Sequence, residues 1–501
     1  MSYARKKYQK VRHKTIKKKY PDWKRLTRKE KKLLAKEILD HIVKNYDYSQ
    51  SINISIEELT GIEEQLPSKG IIPIHKMGDY IQRVYINNLV SFDKRKKPYP
   101  EITDQELRFI DELMDDIVIN SLIQPENYSP AHRLIHPFQY VRMEVLKILK
   151  YPEISYRKFC DNEYFGKERK QNRRFVGMPL SSAEMPDHTQ LSKFRSSLHF
   201  TQVVNLLVYI LYLFYKSQCL EKAIVHGIDS TELAVEINYP LCTAKAKDKK
   251  VRIYTDLDCD CGKRRNKRDK SSYFIGYRLH TLTAINPSTG HSFPLISIVS
   301  AGNHHDSLFL NALIKLGQAI GIDMKLLTAD SAYHDSDGSV LSETGVYVVA
   351  PPSEDVKLPE NVLESPIRVH CNDFCEIPMK HMGITEKGHE FVCSANSGEC
   401  ILESQCPKSR GIPFDAGHFQ PIGSFQAGHK EAVTIRKNCE RAFNLLKKRE
   451  GLEQVRVRSH HGVVVRAAFT TMVTLLIEMA DTRRKAKRNK AKDEDVFAAT
   501  G

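Results

Sequence analysis

The stretch AIVHGIDSTELAVEI, residues 223–237, marks a change in the sequence pattern and decides the fold class. Its β-branched and other apolar residues are typical of a strand. Four further strands are predicted downstream: YFIGYRLHTLTAI (273–285), HSFPLISIVSAG (291–302), KLLTAD (325–330) and VYVVAPP (346–352). The turn signal NPSTG joins the first two of these, and a helix over 307–320 separates the second from the third. This order predicts an α/β fold with a mixed sheet covered by helices.

The segments around this sheet differ in composition and divide the chain into six predicted regions. Residues 30–150 carry apolar residues every three or four positions, which predicts helices. The apolar run VVNLLVYILYLFY (203–215) is too short to span a bilayer, so we expect a buried helix there. The regions are a basic arm, expected to be disordered (1–37), a helical N-terminal region (38–222), the first part of the core (223–354), an inserted cysteine-rich region (355–430), the C-terminal helices of the core (431–480) and a basic tail (481–501).

Positive charge is concentrated at the two ends of the chain. The 501 residues carry a formal net charge of +16, and residues 1–36 contain 16 Lys or Arg against two acids. A second basic run, RRKAKRNKAK, occupies 483–492. Such runs are often solvated tails, but they also predict a polyanionic partner, either nucleic acid or an anionic membrane surface. The N-terminus lacks the apolar segment of a signal peptide, and 11 Cys without secretory signals favour a reducing cytosol.

Two aspartates lie in or at the end of predicted strands. Asp229 interrupts the apolar residues of the first strand, where an acid is costly to bury unless it is paired or binds a metal. Asp330 ends the strand KLLTAD, and ligand groups collect at the carboxyl ends of sheet strands. The alternatives are a turn acid for Asp229 and a helix N-cap for Asp330.

A third acid, Glu440, lies in CERAFNLLKKREG (439–451), which has the apolar spacing of an amphipathic helix. On a continuous helix, Arg436 would lie one turn before it and Lys447 two turns after it, on one face. Alone, this arrangement is equally typical of a solvated ion pair. Together with Asp229 and Asp330, Glu440 completes three hard oxygen ligands that suit Mg²⁺ or Mn²⁺. Two such ions catalyse phosphodiester displacement, and the nearby Lys and Arg would hold a DNA backbone.

Several stretches resemble the DDE transposases of prokaryotic insertion sequences. The matching stretches are MPDHTQLSKFR (185–195), GIDSTEL (227–233), YFIGYRLHTLTAI (273–285), VSAGNHHDSLFL (299–310), LTADSAYHD (327–335) and RKNCERAFNLLKKREGLEQVRVR (436–458). No single motif is decisive, but their order and spacing are specific, and the resemblance covers roughly residues 145–480.

The resemblance implies a ribonuclease-H-like catalytic core in which Asp229, Asp330 and Glu440 bind two divalent ions. It implies DNA strand cleavage at the ends of a mobile element and strand transfer into target DNA. It further implies a helical N-terminal region that binds the terminal repeats, a homodimer in the active complex, and a cytoplasmic, nucleoid-associated protein without membrane partners.

One subgroup of this family carries the signature Tyr-x2-Arg-x3-Glu-x6-Lys. Arg436, Glu440 and Lys447 match its last three positions, whereas Val433 stands at the tyrosine position. In related enzymes that tyrosine is linked to handling of the cleaved DNA end, so the departure puts a hairpin intermediate in doubt.

Two short motifs near the acids have less specific interpretations. His304, His305 and Asp306 in GNHHDS resemble a metal triad, but the position of the motif after a strand favours Asp306 as a helix cap. Tyr333 and His334, just after Asp330, are expected to contact DNA or to support the site from behind.

Two cysteine-containing segments have several interpretations. Cys371, Cys375, Cys393, Cys400 and Cys406 have the spacing C-x3-C-x17-C-x6-C-x5-C. They predict a Zn²⁺ site, free reduced thiols or disulfides, and the spacing does not decide among these. The segment DLDCDCGKRRNKRDKSS (256–272) is expected to be a flexible loop that faces DNA, or simply a solvated loop.

Two other functions fit the same residues. One is a metal-dependent, structure-specific DNA nuclease without strand transfer. The other is a non-catalytic DNA-binding protein derived from a transposase, against which the intact set of three acids counts.

Overall fold

The computed structural model places most of the chain, in segments separated by gaps. The described residues are 22–45, 65, 70–88, 102–123, 136–166, 168–178, 187–217, 219, 225–235, 240, 242–246, 249–264, 272–353, 356–364, 366–372, 375, 377–395, 406–449, 451–452, 454–455, 457 and 459–500.

The first half of the described chain is helical. Its helices are α1 (Arg28–Asn45), α2 (Ile74–Asn88), α3 (Gln105–Leu113), α4 (Asp116–Leu122), α5 (Pro137–Lys150), α6 (Tyr156–Phe159), α7 (Asn162–Phe165), α8 (Lys170–Val176), α9 (His188–Ser197) and α10 (Phe200–Lys216). Helix α10 is buried along most of its length, which confirms the prediction for 203–215. Helix α1 begins inside the arm that was predicted to be disordered, so that prediction is wrong for residues 28–37, and residues 1–21 lie outside the described part.

The buried Arg142 on α5 ties this helical region together. Its guanidinium contacts Asp111 at 2.5 Å and Asp116 at 2.6 Å, and it also donates to the backbone carbonyls of Phe175 and Met114. Every partner lies on a different turn or helix, so this one side chain links α3, α4, α5 and α8.

A seven-stranded mixed sheet follows. Its strands are β1 (Val225–Val235), β4 (Asp260–Arg264), β5 (Ser272–Ile285), β6 (Ser292–Ala301), β7 (Leu326–Ala329), β8 (Tyr347–Val349) and β14 (Gln454–Val455). β1, β5 and β6 form an antiparallel meander, whereas β7 and β8 continue the sheet on the other side of β1 in parallel orientation. A two-stranded ribbon of β2 (Cys242–Ala246) and β3 (Lys249–Ile253) stands apart from it. The predicted mixed sheet is therefore confirmed.

Helices cover this sheet, and the longest of them packs on its edge strand β6. Helices α11 (Leu310–Ala319) and α12 (Ser339–Thr344) flank β7 in sequence, and α15 (His460–Thr500) packs on β6 and on α10. The part of α15 from His460 to Ala486 is long and apolar enough to cross a membrane, but 89% of its apolar window is buried inside the protein. Helices α9 and α10 meet the same criterion only as a pair bent by 95°.

Two local predictions are wrong. Residues 260–264 of the predicted basic loop form β4, which pairs with β5, because Cys259 and Asp260 are buried against the sheet; residues 265–271 lie outside the described part. The predicted amphipathic helix over 439–451 is divided into α14 (Cys439–Asn444) and a π-helical turn (Leu445–Arg449), and it follows a separate helix, α13 (His429–Arg436). The spacing from Glu440 to Lys447 crosses that turn, so an α-helical projection does not place them on one face.

The cysteine-rich region builds a small β structure between β8 and α13. A hairpin of β9 (Val362–Glu364) and β10 (Ile367–Val369) precedes an antiparallel sheet of β11 (Lys380–Thr385), β12 (Gly388–Val392) and β13 (Ser409–Pro413). Val369, Phe391, Ile412 and Phe419 form its small apolar core.

Candidate functional site

Asp229 and Asp330 lie side by side on neighbouring strands. β1 and β7 are parallel, and Ile228 is opposite Ala329 in their register. Asp229 and Asp330 each follow these paired residues directly, and adjacent strands are about 4.8 Å apart. The strand pairing therefore brings together two carboxylates that are about 100 residues apart in the sequence. The Asp330 side chain accepts from the Ser331 backbone N–H and caps the 3₁₀ turn Ser331–Tyr333, so the alternative prediction of a cap is confirmed.

The carboxylate of Asp229 is largely buried and bound to an arginine. Arg436 Nη1 lies 3.0 Å from Asp229 Oδ2, and the Ser230 backbone N–H donates to Oδ1 at 2.7 Å. Burial raises the pKa of Asp229 to about 6, Arg436 opposes that shift, and the charges of Asp330 and Asp306 add to it. Asp229 is thus a carboxylate whose ionised form needs positive charge nearby.

Asp306 is a fourth acid at this site, and the prediction that it caps a helix is wrong. The cap of the 3₁₀ helix Asp306–Phe309 is His305, whose side chain accepts from the Ser307 backbone N–H. The Asp306 carboxylate instead accepts a hydrogen bond from Ser230 Oγ at 3.0 Å and pairs with Arg278 at 3.3 Å. Burial raises its pKa, Arg278 opposes the shift, and Asp330 is among the charges that add to it. Asp306 therefore faces the two strand aspartates.

Behind the acids lies a buried hydrogen-bonded set of residues on β5, β6 and the turn after β7. His280 Nδ1 lies 2.8 Å from the Tyr333 hydroxyl, and His280 Nε2 lies 2.9 Å from Ser300 Oγ. Complete burial keeps the pKa of His280 well below its usual range, so its 3.7 Å approach to Asp306 is a contact of a neutral ring and not an ion pair.

The two residues expected near DNA differ in their exposure. Tyr333 is fully buried, which rules out contact with DNA in this conformation. Of its two predicted roles, only support of the site from behind is left. His334 is half-buried, and its Nδ1 lies 2.8 Å from the Ser331 carbonyl oxygen.

Glu440 reaches this part of the sheet on α14. Its neighbour Cys439 is fully buried against β1 and β5, with Sγ 3.2 Å from Thr283 Oγ1. Glu440 itself is exposed, in the first turn of α14. Lys447 and Val433 are half-buried on the π-helical turn and on α13.

The donor chemistry of the site suits a hard divalent cation, although its geometry is not that of a finished metal site. Asp229, Asp306 and Asp330 offer carboxylate oxygens. Burial and the neighbouring charge of Asp330 raise the pKa values of Asp229 and Asp306, a shift that a bound cation would reverse. However, among the residues that the structure describes, no group of three or more His, Cys, Asp or Glu side chains is arranged to hold a metal ion.

Sequence reasoning missed Arg278, His280 and Ser230. A signal for the first two is present in YRLHTLT, because polar residues two positions apart share one face of a strand. The strand register places Ser230 opposite His280 and Glu232 opposite Arg278, and this pairing identifies the face of β5 that meets Asp306, whereas Asp229 is opposite Thr281.

The five predicted zinc ligands are placed as far as the structure describes them. Cys371 and Cys375 are buried, Cys393 and Cys406 are half-buried, and all four are free thiols. Cys400 lies outside the described residues.

Comparisons with known proteins add a distant likeness. No family model matches the sequence, and no curated protein matches it. Among solved structures, the chain is similar to a cryo-EM structure of piggyBac transposase in a synaptic complex with hairpin DNA. The identity is 10% and the TM-score 0.32, over 77% of this chain and 74% of that chain. Values this low do not establish a common fold.

Proposed function

We propose that this protein is a DDE transposase that cleaves DNA at the ends of a mobile element and joins them to target DNA. The observation that supports the proposal is the position of two aspartates from distant parts of the chain: Asp229 and Asp330 occupy equivalent places on parallel strands. The third proposed acid, the exposed Glu440, lies on α14, which packs on β1.

The strand order supports a ribonuclease-H-like core for this proposal. Three antiparallel strands, β1, β5 and β6, are followed by two parallel strands, β7 and β8, which extend the sheet from the other edge of β1. In this arrangement the first strand is central, so its aspartate lies beside the end of the fourth core strand. The prokaryotic insertion-sequence subgroup rests on the signature residues Arg436, Glu440 and Lys447 alone.

Asp229, Asp330 and Glu440 would hold two Mg²⁺ or Mn²⁺ ions. When bound, these ions would activate a water or a DNA 3′-hydroxyl and stabilise the leaving oxygen. Arg436 fixes the orientation of Asp229 through one carboxylate oxygen, and Arg278 does the same for Asp306. Exposure of Glu440 leaves its carboxylate able to move toward the aspartates when DNA and metal arrive.

DNA would approach along the basic side of α13 and α14. Arg436 and Lys447 are the proposed phosphate contacts, with His334 beside Asp330. The buried Nε atoms of Arg436 and Arg278 lack a hydrogen-bond partner among the described residues, and a ligand oxygen would satisfy such donors. We further propose a homodimer in the active complex, acting on DNA in the cytoplasm, with the helical N-terminal region on the terminal repeats.

The test uses purified protein and DNA that carries the inverted repeats flanking its gene. We expect Mg²⁺-dependent cleavage at the repeat ends and joining of a pre-cut end to a target plasmid. Asp229→Asn, Asp330→Asn and Glu440→Gln should each abolish cleavage while DNA binding persists. Full activity in any of the three variants would refute the assigned acids.

Glu431→Gln is the matched control for Glu440→Gln. Both glutamates are exposed and lie in the first turn of neighbouring helices, α13 and α14. The Glu431 variant should cleave like the wild type. Cleavage without end joining would identify the nuclease alternative, and binding without metal-dependent nicking would identify the non-catalytic one.

A further inference from the structure

Two cysteine-bearing segments of the cysteine-rich region are each closed by a backbone hydrogen bond. The loop after β10 is closed by the Met379 backbone N–H, which donates to the Val369 carbonyl at 2.7 Å. This loop carries Cys371 and Cys375. The segment after β12 carries Cys393, whose backbone N–H donates to the Lys408 carbonyl at 2.9 Å.

A side-chain contact joins these two segments. Ser394, next to Cys393, donates through Oγ to the Pro378 carbonyl at 2.6 Å. On the other side, Arg410 on β13 donates to the His370 carbonyl at 3.1 Å, next to Cys371. Residues from both segments are therefore fixed at one end of the β11–β12–β13 sheet.

The four described thiols of the region lie near this end of the sheet. Burial raises the pKa of Cys371, and the neighbouring thiols Cys406 and Cys393 add to that shift; Cys371 and Cys393 likewise act on Cys375. The thiols of Cys375 and Cys406 donate to the backbone carbonyls of Ile377 and Pro407. None of the four forms a disulfide. Cys371 and Cys375 lie in the first segment, and Cys393 and Cys406 lie in the second, so each segment contributes two sulfur atoms.

The thiols lie within the small apolar cluster of the region, next to a buried histidine. Cys371 and Cys375 are members of that cluster, and Cys406 packs against it. His370 is buried, and neither of its ring nitrogens has a hydrogen-bond partner among the described residues.

We propose that Cys371, Cys375, Cys393 and Cys406 form a structural Zn²⁺ site that holds the inserted region together. Four sulfur atoms each about 2.3 Å from zinc form a tetrahedron with edges of about 3.8 Å, which is the separation of sulfur atoms in contact. The described thiols are not yet arranged around one point, so binding requires side-chain rotation and loss of the thiol protons. The site is independent of the proposed acids and of DNA cleavage.

The test measures metal in the full-length protein, purified under reducing conditions without chelators. We expect about one zinc per chain by mass spectrometry. After exchange into Co²⁺ we expect sulfur-to-cobalt charge-transfer absorption and the visible bands of tetrahedral cobalt. The zinc and cobalt measurements on the wild-type protein are decisive by themselves, because cysteine variants can fail to fold. Zinc-free protein that gains no charge-transfer band from Co²⁺ would overturn the proposal, and so would a disulfide within the cluster.

Single variants identify the ligands. Each of Cys371→Ser, Cys375→Ser, Cys393→Ser and Cys406→Ser should lose zinc and the cobalt band. Cys219→Ser, a half-buried cysteine at the end of α10, is the control and should keep both. Loss of zinc in Cys400→Ser or His370→Asn, with zinc retained in Cys393→Ser, would overturn the assignment of Cys393.

Discussion

A close approach between β1 and α14 yields the sharpest prediction for the site. Gly227 lies two residues before Asp229, and a methyl group built on it would lie 2.5 Å from Cys439 Sγ and 2.9 Å from Ile285 Cδ1. Cys439 is fully buried and directly precedes Glu440. Substitution Gly227→Ala should therefore push α14 away from β1 and move Glu440 relative to Asp229.

The expected loss of folding stability in Gly227→Ala follows from the two short contacts. Overpacking of this kind costs about 2–3 kcal/mol, and Ala in place of Gly within a strand returns about 0.5–1 kcal/mol, so we expect a net loss of about 2 kcal/mol. Cys439→Ala alone removes one buried sulfur and should cost about 1 kcal/mol. In the double variant the new methyl group occupies the space of that sulfur, so the loss should be about 1 kcal/mol and not about 3 kcal/mol.

Urea unfolding of the four proteins measures this coupling, and DNA cleavage measures the position of Glu440. Gly227→Ala should lower cleavage, and adding Cys439→Ala should restore part of it. Gly411→Ala on β13 is the control, since no atom lies within 4 Å of its added methyl group, and its stability should change by less than about 0.5 kcal/mol. Additive losses for Gly227→Ala and Cys439→Ala would refute the steric reasoning.

Two further predictions concern stability. Arg142→Met should destabilise the protein by about 3–5 kcal/mol, because it leaves Asp111 and Asp116 without their cation. The control Lys315→Met, at an exposed ion pair, should cost less than about 0.5 kcal/mol. Equal losses of stability in urea unfolding would contradict this prediction. Burial lowers the pKa of His226 from 6.5 to about 4. Between these pH values the unfolded chain binds a proton that the folded chain does not. A stability of about 3 kcal/mol, present above pH 6.5, is therefore lost as the pH falls toward 4. His226→Gln should lose less stability than the wild type between pH 7 and 4.5, and identical pH profiles would exclude this role.

The fold could be predicted where local pattern determines structure. Strands β5 and β6 are apolar runs joined by a turn signal, and both formed where the pattern placed them. The basic segment that contains β4 could not be predicted in this way. Its charged residues are typical of a loop, yet pairing with the overhanging end of β5 makes residues 260–264 a strand. That pairing is a tertiary contact, which propensity does not encode.

The site was predictable to a similar extent. An acid within an apolar strand or directly after one is a local signal, and it singled out Asp229 and Asp330. Asp306 carried no such signal, since an acid after a strand and before a helix is usually a cap. Its role depends on Arg278 and Ser230, which approach it from two other strands.

The carboxylates at the candidate site differ in whether they are paired with an arginine. Two of the acids have their own cation, because Arg436 pairs with Asp229 and Arg278 pairs with Asp306. Asp330 has no ion pair among the described residues, and its charge adds to the burial that raises the pKa of Asp229 despite Arg436. A like charge beside a largely buried carboxylate favours a bound cation. The arginines hold two carboxylates in place, so under the proposed function Asp330 is the acid whose charge a divalent cation would meet.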